Sequence, residues 1–206
     1  MLAKICNATE KLFMRYGIKS ITMDDVAKEL SMSKKTLYQY VEDKEDLVKK
    51  TLLLHVESMD SLCKSVFQSE ENAILQILKI ANMMIGLHKE MNPSLLFDLK
   101  KYHPETYTSF TEHREKTIQT QLIENLNLGI SQGMYKKDIN INLSTGFYMA
   151  LIEQCISSEI GIISNIPFSE KYAYLVKYHL NSICSIDGLE FMKNNLKVNN
   201  PENTNI

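Results

Sequence analysis

The chain has 206 residues, a formal net charge of −2, 44% hydrophobic and 23% charged residues. Those values fit one large globular domain, or a small one joined to a larger, and exclude wholesale disorder. Seven glycines and four prolines are few turn-formers for this length, so few, long, helical elements are expected. The longest uncharged stretch, Ile139 to Ile152, spans 14 positions and contains Asn, Ser, Thr and Gly; it is too short and too polar to cross a bilayer. The opening residues, with Lys4, Glu10 and Lys11, lack the uncharged core of a secretory signal, so a cytoplasmic protein without membrane contact is expected. Cys6, Cys63, Cys155 and Cys184 form no C-x-x-C pair and no zinc-finger spacing, which predicts reduced core thiols.

In chain order, Ile5, Ala8, Leu12 and Tyr16 recur at helical spacing, and Gly17 follows as a natural stop. Thr22-Met23-Asp24-Asp25 places a hydroxyl N-cap three residues before a carboxylate and starts a short helix ending near Leu30. Ser33 caps a second short helix over Lys34 to Tyr40, and Asp43-Lys44-Glu45-Asp46 opens a third with acids in its first turn. From Lys44 to Val66 the stripe Val48, Leu52, His55, Met59, Leu62 and Val66 predicts a helix of roughly 35 Å, long enough to link two bodies. Glu71 to Met91 is apolar on most sides and predicts a buried helix. Further helices are expected from Pro93 to about Tyr102, from Pro104 to near Gly133, from Asn142 to Gly161 and from Phe168 to Ile186. No run alternates with period two for long, so the fold class is all-α with about nine helices. Residues from Asn194 on hold six Asn and little to bury, which predicts a disordered tail. The expected organisation is a head over 1–47, a helical body over 48–190 and a tail over 191–206.

Residues 1–50 carry 10 Lys and Arg against 8 Asp and Glu, and residues 51–206 carry 13 against 17. A slightly basic head therefore precedes an acidic body, the sense expected if one end meets phosphate. Within the head, Ala27, Ser31 and Leu37, flanked by Val26, Leu30 and Met32, have the packing pattern of a helix-turn-helix. Its second helix offers Ser33, Lys34, Lys35, Thr36, Gln39 and two tyrosines, the hydroxyl, amine and amide donors that phosphates and base edges require.

Ile21 to Leu30, then Ser33-Lys34-Lys35-Thr36-Leu37-Tyr38-Gln39-Tyr40, then Lys44-Glu45-Asp46-Leu47, resembles the N-terminal domain of the TetR/AcrR transcriptional regulators. The tyrosine pair, the lysine before the fourth helix and the capped second helix occur together, which a bare helix-turn-helix lacks. Gly129, Gly133 and Asp138 resemble the family's junction between its seventh and eighth helices. Three positions depart from the pattern: Ser31 where glycine is common, Lys35 where a small residue is common, and Val41 in place of an aromatic. A serine in that turn costs about 1 kcal/mol if the backbone needs positive φ.

The resemblance implies that Thr22, Tyr38, Tyr40 and Lys44 hold the DNA backbone, with Ser33 at the start of the recognition helix. It also implies that Lys34, Lys35, Thr36 and Gln39 face the major groove of double-stranded DNA. It implies a homodimer built on the last two long helices, where Ala150, Ser157, Ser158 and Gly161 would permit close approach and Tyr172, Val176, Leu180 and Ile183 would form the facing stripe. The family's pocket would fall at Met83, Met84, His88, Phe97, Tyr102, Tyr107, Phe110, Phe147 and Tyr148, a lining suited to a small hydrophobic molecule. No G-x-S-x-G, H-E-x-x-H, Walker or G-x-G-x-x-G motif is present, and no histidine follows a Glu by three. No enzyme activity, catalytic residue, cofactor or metal is therefore expected. The reading is a ligand-responsive DNA-binding regulator, a repressor as most of the family are; an architectural or ligand-independent DNA binder is the alternative.

Overall fold

The computed structural model describes residues 1–157 and 161–199. Among the described residues there are ten α-helices: α1 (Leu2–Tyr16), α2 (Met23–Glu29), α3 (Lys34–Leu37), α4 (Lys44–Ser69), α5 (Ala73–Glu90), α6 (Leu95–Tyr102), α7 (Pro104–Ser131), α8 (Ile141–Ser157), α9 (Phe168–Ile183) and α10 (Ile186–Asn199). No strand forms among those residues. A single antiparallel bridge joins Tyr135 and Cys184.

The chain divides into two compact units. The first comprises Met1–Leu62 with Glu90–Arg114; the second comprises Cys63–Lys89 and the residues from Glu115 on. This differs from the boundary expected after residue 47. The reason is that α4 runs unbroken past it, and Leu47, Val48 and partly buried Leu52 belong to the first core together with Leu95 and Leu99 of α6.

The first core gathers Ile5 and Phe13 of α1, Val26 and Ala27 of α2, and Leu37 of α3 with Val41 and Leu47. In α1 the buried face is Ile5, Cys6, Thr9 and Phe13, one position round from the expected stripe, and Tyr16 stays exposed. The helix stops at Gly17, whose φ of +79° lies in the left-handed region. An added Cβ there would come 2.6 Å from Ser94 Oγ. Asn92 closes the same end, its backbone N–H donating to Met14 O at 2.7 Å and its side chain to Arg15 O at 3.1 Å.

The second core runs from Ala73, Ile74 and Ile77 of α5 through Leu122 and Leu126 of α7 to Ile152 of α8 and Val176 and Leu180 of α9. Its polar centre is a hydrogen-bonded chain. Tyr135 OH donates to Asn125 Oδ1 at 3.0 Å, and Asn125 Nδ2 donates to Ala73 O at 2.8 Å and Gln76 Oε1 at 2.9 Å. Tyr135 lies flat against Gly129, where a Cβ would come 2.1 Å from the ring. All four cysteines are buried.

Helix α10 occupies residues 186–199, where the sequence reading places the end of the ninth helix and the start of a tail. Ser185 Oγ accepts from the Gly188 N–H at 3.1 Å and donates to Gly133 O, a cap from which Met192 is carried into the second core. The part of the expected tail beyond residue 199 lies outside the described residues.

Candidate nucleic-acid interface

Each short helix of the head is started by a side chain. Thr22 and Asp25 form a complete capping box at α2: the Asp25 N–H donates to Thr22 Oγ1 at 3.2 Å, and the Thr22 N–H donates to Asp25 Oδ2 at 2.9 Å. The Thr22 hydroxyl also donates to Asp25 Oδ2 at 2.6 Å. These bonds hold the Asp25 carboxyl below its ordinary pKa. At α3, Ser33 Oγ accepts the Thr36 N–H at 3.0 Å and lies 2.8 Å from Thr36 Oγ1. At α4, Asp43 Oδ1 accepts the Asp46 N–H at 2.8 Å.

The turn between α2 and α3 passes through Ser31 at φ +51°, so serine does occupy a left-handed position that favours glycine. Met32 N–H returns to Ala27 O at 2.9 Å and brings α3 across α2. Val26, Ala27 and Leu37 fill the inside of this crossing. Ser33, Lys34, Lys35, Tyr38 and Gln39 are exposed on the outside, while Thr36 and Tyr40 are half-buried. Val41 is 2% exposed; it fills the head's core.

Lys34 pairs with Asp24 at 3.1 Å, both half exposed. The Asp24 carboxylate raises the pKa of the Lys34 ammonium. Tyr40 O accepts from Lys50 Nζ at 3.0 Å, and Lys50 in turn pairs with Asp46 at 2.7 Å. Lys44 Nζ donates to Lys19 O at 3.3 Å; burial lowers its pKa, with Asp98 and Asp25 acting against that. The expected DNA-contacting residues thus lie at the N-cap of α2 (Thr22), over Ser33 to Thr36 at the start of α3, in the turn that follows α3 (Tyr38, Gln39 and Tyr40, which the sequence reading includes in the helix) and at the start of α4 (Lys44), with a dry inner side and an outer side of hydroxyl, amide and ammonium donors. Lys19 has no place in that set, although its carbonyl positions Lys44; a lone lysine in a turn carries no sequence signal of such a role.

Residues 5–51 match the family model of the bacterial regulatory proteins, tetR family. The chain is 27% identical over 186 residues to YvaF of Bacillus subtilis, named as an uncharacterised HTH-type transcriptional regulator, covering 87% of this chain and 94% of the relative. It is also 27% identical over 131 residues to an HTH-type transcriptional regulator of Staphylococcus aureus strain USA300, covering 52% and 71%. These matches support a TetR-family transcriptional regulator. The fold is that of solved regulators: one from Cytophaga hutchinsonii superposes with a TM-score of 0.72 at 20% identity, covering 89% of this chain and 98% of that one. Another, from Saccharomonospora viridis in complex with choline, gives 0.71 at 14%, covering 89% and 97%. The relatives are transcriptional regulators, of a family that is not enzymatic.

The residues expected to line a pocket fall in both units. Met83, Met84, His88, Phe147 and Tyr148 belong to the second unit; Phe97, Tyr102, Tyr107 and Phe110 belong to the first. Tyr107 and Phe110 pack on the first core. Phe97 is 60% exposed and Phe147 67%, so neither belongs to a closed wall within the protomer. What the second unit does bring together is an aromatic stack. His88 lies on Phe168 at 3.7 Å between ring centroids, Phe168 lies on Tyr172 at 5.2 Å, and Tyr148 lies against His179 at 4.3 Å. Burial, then the nearby Lys171 ammonium, lowers the His88 pKa, and burial pushes His179 down to about 4. Thr145 Oγ1 and Gln154 Oε1 are buried there without a hydrogen-bond partner among the described residues. The contacts of Phe168 with His88 and of His179 with Tyr148 join helices distant in sequence, so spacing carries no signal of them.

The stripe expected at a dimer interface points inward. Tyr172, Val176, Leu180 and Ile183 are 6%, 0%, 0% and 3% exposed and belong to the core of the second unit. Helix α9 carries a second apolar stripe, Tyr174 and Tyr178, and spacing alone cannot rank the two. That second stripe, with Leu143, Phe147 and Leu151 of α8, is exposed. Ala150, Ser157 and Gly161 are exposed as well; Ser158 lies outside the described residues. No helix among the described residues is long and apolar enough to cross a membrane.

Proposed function

We propose that this regulator is a cytoplasmic repressor that binds a pseudo-palindromic operator as a homodimer and is released by a small hydrophobic molecule. The observation that carries the DNA-binding part is the two-sided head. Val26, Ala27 and Leu37 lock α2 against α3, and Lys34 and Lys35 of that helix, with Ser33 before it and Gln39 after it, face solvent. In this reading Lys34, Lys35, Thr36 and Gln39 read base edges, while Thr22, Tyr38, Tyr40 and Lys44 hold phosphates. The Thr22 hydroxyl is already donated to Asp25, so its phosphate contact has to share the cap.

One short recognition helix reads too few bases for specificity, and a two-fold axis doubles the site. The exposed apolar face of Leu143, Phe147, Leu151, Tyr174 and Tyr178 supports a second copy as its cover. The stack of His88, Phe168, Tyr172, Tyr148 and His179, with partnerless Thr145 and Gln154 near it in sequence, supports an effector site in the second unit. Helix α4 supplies residues to both units, so an effector that prefers one placement of α4 shifts DNA affinity by its differential affinity for the two states.

The test is a titration of the purified protein against its own upstream DNA and a scrambled duplex of equal length, at about 150 mM salt. A preference of about a thousandfold is expected of a sequence-specific regulator. Equal, steeply salt-dependent binding to both would favour an architectural role. Absence of binding to either would remove the DNA-binding reading.

A further inference from the structure

The first unit carries a second group of exposed cations and aromatics, built around the last turn of α6 and the turn after α1. Buried Asp98 of α6 accepts the Lys19 N–H at 2.9 Å, which fixes that turn against α6. The Lys19 ammonium then lies 5.2 Å from the centre of the Tyr102 ring. Lys101 Nζ lies 5.4 Å from the same ring and 5.3 Å from that of Phe97, and Lys100 Nζ lies 6.0 Å from Tyr107. Lys19, Lys100, Lys101 and Tyr102 are all exposed. The Lys19 ammonium, aided by Lys101, holds the Tyr102 phenol below its ordinary pKa.

Two features distinguish this strip from an ordinary solvated surface. Lysines in the last turn of a helix answer its dipole, which accounts for Lys100 and Lys101 but not for Lys19, which comes from a turn. Two nearby acids are engaged by other groups: Asp98 accepts the Lys19 backbone N–H, and Glu45 is hydrogen-bonded to His103 and Thr106, while Glu105 is exposed in the first turn of α7. Among the described residues, Lys34 and Lys50 sit in ion pairs, whereas Lys19, Lys100 and Lys101 sit over rings. The strip is continuous with the nucleic-acid face through the bond from Lys44 Nζ to Lys19 O.

We propose that Lys19, Lys100, Lys101 and Tyr102 form a second contact for the phosphate backbone of double-stranded DNA, flanking the stretch read by α3. The proposal rests on the DNA-binding reading above, since its occupant follows from continuity with Lys44. Ammonium groups on flexible stems, set over aromatic faces, suit phosphate oxygens and carry no base preference. The contact therefore strengthens binding to every sequence alike and lengthens the footprint.

The test uses the full chain and a fluorescent 40-base-pair duplex of mixed sequence, titrated between about 50 and 200 mM salt. The double variant Lys100→Ala, Lys101→Ala is expected to bind about tenfold more weakly near 100 mM, with the slope of log K against log salt reduced by about 0.9 for each phosphate no longer neutralised. The Lys100→Arg, Lys101→Arg variant keeps both affinity and slope. Tyr40→Ala is the control for the head. Wild-type affinity and slope in the alanine pair, with Tyr40→Ala weakened, would overturn the strip and leave the DNA-binding reading standing. No change in either variant would overturn both. Weaker binding with an unchanged slope would also overturn the strip, because the protein would then still neutralise as many phosphates as before. Unchanged duplex binding with lost sedimentation on phosphatidylserine vesicles would reassign the strip to a lipid surface.

Discussion

In the first unit three histidines face carboxylates: His55 with Glu10 at 2.6 Å, His113 with Asp60 at 2.9 Å, and His103 with Glu45. In the second unit, His88 and His179 lie against Phe168 and Tyr148. The histidines of the first unit thus join helices through polar pairs, and those of the second pack against aromatic rings. The first arrangement keeps α4 tied to its neighbours by contacts that solvent and ions can loosen. The second gives a body whose stability depends on exclusion of water and protons.

The sharpest way to break this contrast is to remove core from the second unit. Leu180→Ala is expected to cost about 2–5 kcal/mol in urea unfolding, whereas Tyr174→Ala, on the other stripe of α9, should cost little in a monomer. Equal losses would mean that the inward and outward faces have been confused. Acid is the next probe. His179 is depressed to about 4 in the folded protein and has an ordinary value near 6.5 when unfolded. The stability it lends is therefore complete above about 6.5 and is lost as pH falls towards 4, by about 3 kcal/mol in all; His88 shifts in the same direction. His179→Phe should flatten the dependence of the unfolding midpoint on pH across that window, and an unaltered pH profile would refute the assignment.

Smaller effects sharpen the picture in the first unit. His103→Ala removes one of the two buried side chains that hold Glu45 and is expected to cost about 1–2 kcal/mol, seen as faster amide exchange at the start of α4. Ser31→Gly relieves a left-handed serine and should raise stability by about 0.5–1 kcal/mol. A fall in the melting temperature would show that the Ser31 side chain contributes something the turn needs.

What could be read from the sequence was what neighbouring residues decide. The caps at Thr22, Ser33 and Asp43 act over three positions, so the starts of α2, α3 and α4 were visible, and with them the candidate interface. The cost assigned to Ser31 also follows from one residue's backbone. The inward face of α9 is decided by α5, α7 and α8, which no local pattern encodes. The His–carboxylate pairs join residues 45, 58 and 53 positions apart and left no trace in spacing. Helix α10 was hidden by its asparagines, because one serine cap and one buried methionine outweigh their poor propensity.

The ion pair between Lys34 and Asp24 has a kinetic side. Under the proposed function, Asp24 is a competitor that the free protein carries for its own recognition lysine. Any duplex has to displace it, so an arbitrary sequence gains less from Lys34 than a bare ammonium would give, while a site that engages the whole of α3 repays the exchange. A head built in this way leaves wrong sequences sooner and spends more of its time searching. Exposed as it is, that carboxylate could set the dwell time on non-cognate DNA without touching it.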